Sequence, residues 1–554
     1  MMTDATTLDS SSVKDAERVS KTAPATVREA FFEVARRLGL TTIFGNPGST
    51  EQTLLKNFPR DFRYVLALQE ACVIGMADGY AQATGRAALV NVHTAAGLGN
   101  AMGNIESAWY NHAPLIITAG NQVREMLLLE PFLANAEPTM VAHPYVKWSY
   151  EVARAEDAPA ALIRAWAMAV QPPAGPVFLS IPMSDAEKPC LPVPDIRSVS
   201  TRLAASPEQL APVASLLDAA VAPVLVIGGT VDEGDGWHNA VRLAERLRAP
   251  VWAAPEEGRP GFPETHPLYR GALPFAIKPL CDKLEGHDLV VVVGAPVFRY
   301  YPYVPGDYVP QGTRLVHITD NPSEAARAPV GDSILADPGT ACGVLADLVS
   351  PSVRPAPAPL SPTSPLPVDT TISADLLYST INEVRPDDSV IVHESVSNLR
   401  LLKERLPTSS PRSFFASFSG VLGYGLSAAV GVALAERDLG SHRKVVNIVG
   451  DGAAQYVIQS IWTAVQHRLP ILFIIPANHE YAILKEFADQ LHTPGVPGLD
   501  LPGFDFVSLA KGYGCEGQRI VLPRDLAPAL LEAMAMDIPY LLEVEIESVY
   551  PSLI

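Results

Sequence analysis

The sequence predicts an α/β protein of three domains, each built on a mainly parallel sheet covered by helices. Three observations carry that expectation. Short, wholly apolar runs alternate with stretches of helical period, the pattern of strands buried on both faces. The alternation occurs in three blocks, and a proline-rich segment without period, 349–369, separates the second from the third. The length, 554 residues, also exceeds the size at which a single core keeps growing.

The elements follow in order. Residues 1–23 are polar and are expected to form a disordered tail. In the first block, 24–190, TTIFG, YVLAL, AALVNVH, PLIITAG and GPVFLSIP read as strands, with VREAFFEVARRLG and EACVIGMADGYAQAT as helices. The second, 205–348, repeats the pattern with APVLVIGG, APVWAAP, DLVVVVGAP and RLVHITD. Gly228 and Gly229 close its first strand, but no GxGxxG follows, so a packing turn is the favoured reading over a nucleotide site. The third, 370–554, opens with helical TISADLLYSTINEV and continues through DSVIVHE, VVNIVGDG, PILFIIPAN and PYLLEVEI.

Composition narrows the function. With 41 basic and 60 acidic residues, a formal charge of -19 repels a phosphate backbone, and no basic patch offsets it, so no nucleic-acid partner is expected. Five cysteines stand far apart without CxxC or zinc spacing, which fits a reduced compartment. No stretch of 18 uninterrupted apolar residues occurs, and a cytoplasmic protein without membrane partners is expected.

Two acids stand out. Asp451 lies between Gly450 and Gly452 at the end of an apolar strand, and Asn478 ends the next one. Ligands of open α/β sheets bind beyond the carboxyl ends of strands. The glycines permit close approach, and a helix expected to start near Ala453 would aim free N–H groups at an anion. Carboxylate and amide oxygens are hard ligands suited to magnesium holding phosphate. A GDG turn alone also serves a purely structural helix; the paired asparagine favours the metal reading. Glu70 opens a helix of small and apolar residues, where a carboxylate either starts the helix or does proton chemistry at a raised pKa.

The stretches TIFGNPGSTE, FRYVLALQEACVIGMADGYAQATG, NVHTAAGLGNAMG, APLIITAG, VKWSYE, EGHDLVVVVGAPVFRY, the GDG with its later asparagine, and VPGLDLPGFDF together resemble the thiamine diphosphate-dependent 2-oxo acid decarboxylases, from about residue 25 onward. The likeness is strongest to the branch acting on aromatic 2-oxo acids such as benzoylformate. It implies a pyrimidine-binding domain, a middle domain and a diphosphate-binding domain, in a homotetramer with active sites between subunits. The implied cofactors are thiamine diphosphate and Mg2+, and the implied partner is a small 2-oxo acid, decarboxylated through an enamine to an aldehyde and carbon dioxide.

By the same resemblance Glu70 bonds the aminopyrimidine ring. Asp451, Asn478 and the Glu480 carbonyl hold the metal, Gly452 and Ala453 adjoin the cofactor, and Leu422 wedges it into a bent form. Ser49 binds the substrate carboxylate, and His93 assists proton transfer to and from the bound intermediate, work to which an imidazole is suited in both directions. An isolated strand-end histidine is also a common structural element. The expected substrate pocket adds Tyr301, Ile483, Phe487 and Leu499. This sequence departs from the pattern at Tyr301, where the branch has a second histidine, at Ile483, where it has alanine, at Val396, where it has threonine, and at Ala477, where the family commonly has a further asparagine. Tyr301 opens the alternative of a carboligase or aldehyde lyase, and Ile483 that of an aliphatic or branched 2-oxo acid. An inactive cofactor-binding scaffold is the non-enzyme alternative.

Overall fold

The computed structural model describes residues 24–358, 370–417 and 419–549. The expected tail 1–23 and the later part of the linker, 359–369, lie outside the described residues. Three six-stranded sheets are present, one in each block, and every strand pair is parallel. The first contains β1 (Thr42–Asn46), β2 (Arg63–Leu66), β3 (Ala88–Val92), β4 (Leu115–Asn121), β5 (Ser149–Glu151) and β6 (Val177–Pro182), in the order β2-β1-β3-β4-β6-β5. The middle sheet contains β7 (Pro223–Ile227), β8 (Val251–Ala253), β9 (Tyr269–Ala272), β10 (Leu289–Val293), β11 (Arg314–Thr319) and β12 (Asp332–Leu335), ordered β12-β11-β10-β7-β8-β9. The third contains β13 (Val390–Glu394), β14 (Phe414–Ala416), β15 (Val445–Val449), β16 (Ile471–Ala477), β17 (Glu516–Ile520) and β18 (Tyr540–Glu545), ordered β14-β13-β15-β16-β18-β17.

The first and third sheets therefore share one strand order, and in each the order reverses at corresponding strands, β1/β3 and β13/β15. Crevices at such reversals are where α/β sheets take ligands. The wholly buried runs became the central strands, as their two covered faces require. Five edge strands, β5, β9, β12, β14 and β17, were not legible. They are short or half-exposed and lack a continuous apolar run.

The first and third units share one core. Helix Glu70–Thr84 lies across helix Gly425–Leu439, and Val73, Met76, Val430 and Leu434 belong to a single buried cluster. Glycines set the crossing distance: a Cβ on Gly79 would lie 2.3 Å from the Ala428 carbonyl oxygen, and one on Gly431 would lie 1.9 Å from that of Met76. Helix Glu70–Thr84 starts at Gln69, whose side-chain oxygen accepts from the N–H of Ala71 at 2.6 Å, and stops at Gly85 with φ +67. The middle unit has its own cores. The described start of the linker is strapped to that unit, the Arg354 guanidinium donating to the carbonyls of Leu217 (2.8 Å) and Leu247 (3.3 Å). Among the described residues no helix is long and apolar enough to cross a membrane.

Candidate active site

At the third sheet's reversal, β15 runs buried to Val449 and the chain turns at Gly450. The helix then begins at Asp451, two residues before the expected Ala453. This puts the carboxylate in the first turn, where Oδ1 accepts from the N–H of Gly452 at 2.8 Å. Oδ2 accepts from the N–H of His479 at 2.7 Å, so Asp451 ties its own strand end to that of β16. Burial pushes its carboxyl pKa up, opposed by those two N–H groups. His479 takes a left-handed conformation, φ 59, and the turn brings the Asn478 amide oxygen to the N–H of Glu480 at 3.2 Å.

Segment 479–481 is zipped to 499–501. The N–H of Tyr481 donates to Leu499 at 2.8 Å and that of Leu501 to His479 at 2.7 Å. This explains Gly452 differently from a ligand-approach argument alone: a Cβ there would lie 2.4 Å from the Tyr481 ring. At Gly450 nothing comes nearer than 3.8 Å, and that backbone is the open one.

A cleft of about 440 Å³ opens above these strand ends, lined by Leu422, Val396, Gly450 to Ala453, Asn478, Glu480 and Ile483. Its hard oxygens are the Asp451 carboxylate, the Asn478 amide and peptide carbonyls, a set that suits a diphosphate held through a small divalent cation. Among the described residues no group of three or more His, Cys, Asp or Glu side chains could hold a metal ion.

Glu394, at the end of β13, is a buried member of the cleft wall that the sequence reading missed. It carries the signal that singled out Glu70, a carboxylate bordering an apolar run. Its carboxylate accepts from the N–H groups of Gly423, Tyr424 and Gly425, the residues directly after Leu422. Leu422 itself is half-buried against the shared core.

The first sheet presents a second cluster at its own reversal. Glu70 is buried, and its two oxygens accept from the side-chain amides of Asn46 (3.1 Å) and Asn100 (3.2 Å). His93 follows β3, and its Nδ1 lies 2.9 Å from Glu51 Oε2 and 3.1 Å from Thr50 Oγ1. Glu51 is the other acid the sequence reading passed over, although it closes the quoted NPGSTE. Its Oε1 accepts from the Thr50 hydroxyl (2.7 Å) and the Gly120 N–H (2.7 Å), and its Oε2 from the Gly48 N–H (2.8 Å). A carboxylate so fixed favours the proton on Nδ1 of His93 and leaves Nε2 to exchange one. Ser49 lies exposed on the turn between Gly48 and Thr50, both of which adjoin His93.

Of the pocket-wall residues, Ile483 lines the cleft, its N–H donating to Ser397 Oγ at 3.0 Å. Phe487 stands one turn further along the same helix, Ala482–Gln490, and meets the ring of Tyr301 edge to face with centroids 4.9 Å apart. Tyr301 is 58% exposed, and Leu499 is half-buried with its carbonyl held by Tyr481. The cleft that takes in Leu422, Asp451 and Asn478 includes none of Glu70, His93 or Ser49. One chain thus carries two separate clusters, one on each of two like sheets.

A GDG turn answered by an asparagine on one sheet and a buried glutamate on a like sheet point to the class of enzymes that bind a diphosphate cofactor. Family models agree with that class: the thiamine pyrophosphate enzyme N-terminal TPP binding domain matches residues 25–136, the central domain 210–345, and the C-terminal TPP binding domain 397–544. Benzoylformate decarboxylase from Pseudomonas aeruginosa is 45% identical over 531 residues, 95% of this chain and 100% of that one. The chain belongs to the thiamine diphosphate-dependent 2-oxo acid decarboxylase family. Among solved structures, benzoylformate decarboxylase from Polynucleobacter necessarius superposes with a TM-score of 0.93 at 43% identity, covering 96% of this chain and 100% of that one. The 4-hydroxybenzoylformate decarboxylase of Rhodococcus jostii RHA1 gives 0.91 at 43% identity, covering 94% and 99%.

Proposed function

We propose that this protein decarboxylates an aromatic 2-oxo acid such as benzoylformate, without oxidation, to an aldehyde and carbon dioxide, using thiamine diphosphate and Mg2+. The observation that carries the reading is the oxygen-lined cleft under Leu422 with the Tyr301–Phe487 aromatic pair beside it. The relatives named for benzoylformate and its 4-hydroxy analogue support the aryl substrate.

Asp451, Asn478 and the Glu480 carbonyl would hold Mg2+ with the diphosphate, and Gly452 and Ala453 would adjoin them. Leu422, which lines the cleft, would pack against the cofactor there. Glu70, oriented by Asn46 and Asn100, holds a proton at the pyrimidine ring. When bound, thiamine diphosphate supplies the electron sink for the pair released as carbon dioxide leaves. Ser49 binds the substrate carboxylate. Glu51 keeps His93 oriented so that Nε2 carries protons to and from the reacting carbon. Ile483, Phe487 and Leu499 wall the side-chain pocket.

The active sites of this reading lie between subunits of a homotetramer, where Glu70, Ser49 and His93 of one chain complete the cleft of another. The separation of the two clusters within one chain supports this. So does an exposed apolar surface at Leu128, Leu129 and Phe132, which are 94%, 73% and 87% exposed. Units 24–190, 205–348 and 370–554 are its domains, and its five free cysteines suit the cytoplasm.

Carboligation of aldehydes is a second reading, favoured by Tyr301, because a phenol is a poorer proton shuttle at neutral pH than the imidazole it replaces. The test is carbon dioxide release by metal-depleted protein reconstituted with thiamine diphosphate and Mg2+, offered benzoylformate, pyruvate and branched 2-oxo acids. Rapid turnover of benzoylformate that needs both cofactors is expected. Bound cofactor with condensed hydroxyketone from aldehydes alone, and no carbon dioxide, supports the second reading.

A further inference from the structure

We propose that Glu394 is a positioning residue whose carboxylate locks the 423–425 backbone so that Leu422 projects rigidly into the cleft; the inference rests on the thiamine diphosphate reading above. Oε1 accepts from the N–H groups of Gly423 (2.8 Å) and Tyr424 (3.0 Å), and Oε2 from that of Gly425 (2.9 Å). Three consecutive peptide donors thus converge on one side chain, at the start of helix Gly425–Leu439, where N–H groups have no helical partner. Gly423 stands at φ +108, a conformation that side-chain-bearing residues rarely adopt, so the turn after Leu422 has little freedom once those donors are held.

The carbonyl side of that turn is fixed as well, Gly423 O accepting from the Asn104 amide at 2.9 Å. Glu394 also reaches the other half of the cleft, its own carbonyl accepting from the N–H of Gly450 at 3.2 Å, one residue before Asp451. Contact is close along the side chain, since a Cβ on Gly425 would lie 2.8 Å from Glu394 Cβ. A single residue therefore ties the turn bearing Leu422 to the strand end bearing Asp451. Glutamine at this position fills the same space but turns an NH2 group toward peptide donors, leaving at least one buried N–H without an acceptor.

The experiment compares wild type, Glu394→Gln, Leu422→Ala and the double variant by three readouts: thermal unfolding of the full chain, thiamine diphosphate affinity with Mg2+, and hydrogen–deuterium exchange at C2 of the bound cofactor at saturation. Loosening Leu422 is expected to slow exchange about 10- to 100-fold in Glu394→Gln, since small misplacements of reacting groups have effects of this order. The loss should largely vanish in the Leu422→Ala background, because both changes act on one contact. Wild-type exchange in Glu394→Gln, or losses that multiply in the double variant, would overturn the proposal. Should Glu394→Gln fail to fold, Gly423→Ala, which twists the same turn and leaves the carboxylate, is expected to show the same pattern, and wild-type exchange there overturns the proposal equally. Wild-type protein that neither binds the cofactor nor accelerates exchange defeats the cofactor reading itself, an outcome distinct from these.

Discussion

Four buried acids belong to the two clusters, and each is held by different donors: Glu70 by two side-chain amides, Glu51 by peptide N–H groups and hydroxyl with an imidazole, Glu394 by three peptides, Asp451 by two. Donor sets of this kind oppose the desolvation of a buried carboxylate without cancelling it at Asp451 and Glu394, where burial still pushes the carboxyl up, at Glu394 to about 7. Glu70→Gln keeps the amide contacts within reach but removes the acid, and C2 proton exchange of bound thiamine diphosphate is expected to fall by about 100-fold or more, with affinity little changed. At the pocket wall, Ile483→Ala removes a branched side chain from the cleft. The ratio of kcat/KM for a para-substituted aryl 2-oxo acid over that for pyruvate is expected to rise about 10-fold, and an unchanged ratio would place the substrate side chain elsewhere. Glu70 was legible because a carboxylate at the head of an apolar helix is conspicuous. Glu51 was not, because its partners Gly120 and His93 come from strands far along the chain.

At the scale of elements, the decisive contact is the crossing of helices Glu70–Thr84 and Gly425–Leu439. Helix Glu70–Thr84 reads as a small-residue helix in the sequence, whereas Gly425–Leu439 emerges only in the structure, and the faces that met were decided by Gly79 against Ala428 and Gly431 against Met76. Gly431→Ala forces a methyl group onto a backbone carbonyl and is expected to destabilise the fold by about 1–3 kcal/mol, read as a lower urea midpoint with unchanged slope. Central strands announce themselves by apolar runs, whereas edge strands such as β12 and β17 are largely exposed on the chain and pair only because a neighbour offers its free N–H and C=O groups.

For the whole molecule, two expectations follow. Sites built between subunits predict that inactive Glu70→Gln and inactive Asp451→Ala proteins, mixed through reversible dissociation, regain activity, since some sites then draw both intact residues. No recovery would place each site within one chain. The second concerns pH. Asp78 is fully buried in the shared core, its oxygens accepting from the side-chain amides of Gln82 and Asn111, with the Arg259 charge nearby. Burial pushes its carboxyl up from 3.8 to about 7. The folded protein therefore binds this proton more tightly than the unfolded chain, and the resulting stability is present below about pH 4 and lost as pH rises through about 7. Asp78→Asn should lessen the loss of stability between pH 5 and 7.5 by about one proton's worth of slope in urea titrations.

By itself the sequence determined the three parallel α/β units, their central strands, the GDG turn with its distant asparagine, and the isolated acid at Glu70. These are local patterns, because burial on both faces and tight turns restrict which residues stand next to one another. Only the tertiary structure decided that Glu51 orients His93, that Glu394 grips the turn after Leu422, that Tyr481 is what demands glycine at 452, and that Tyr301 meets Phe487. Those contacts join residues from different strands and units, and no periodicity along the chain encodes a meeting that exists only once the sheets have been stacked.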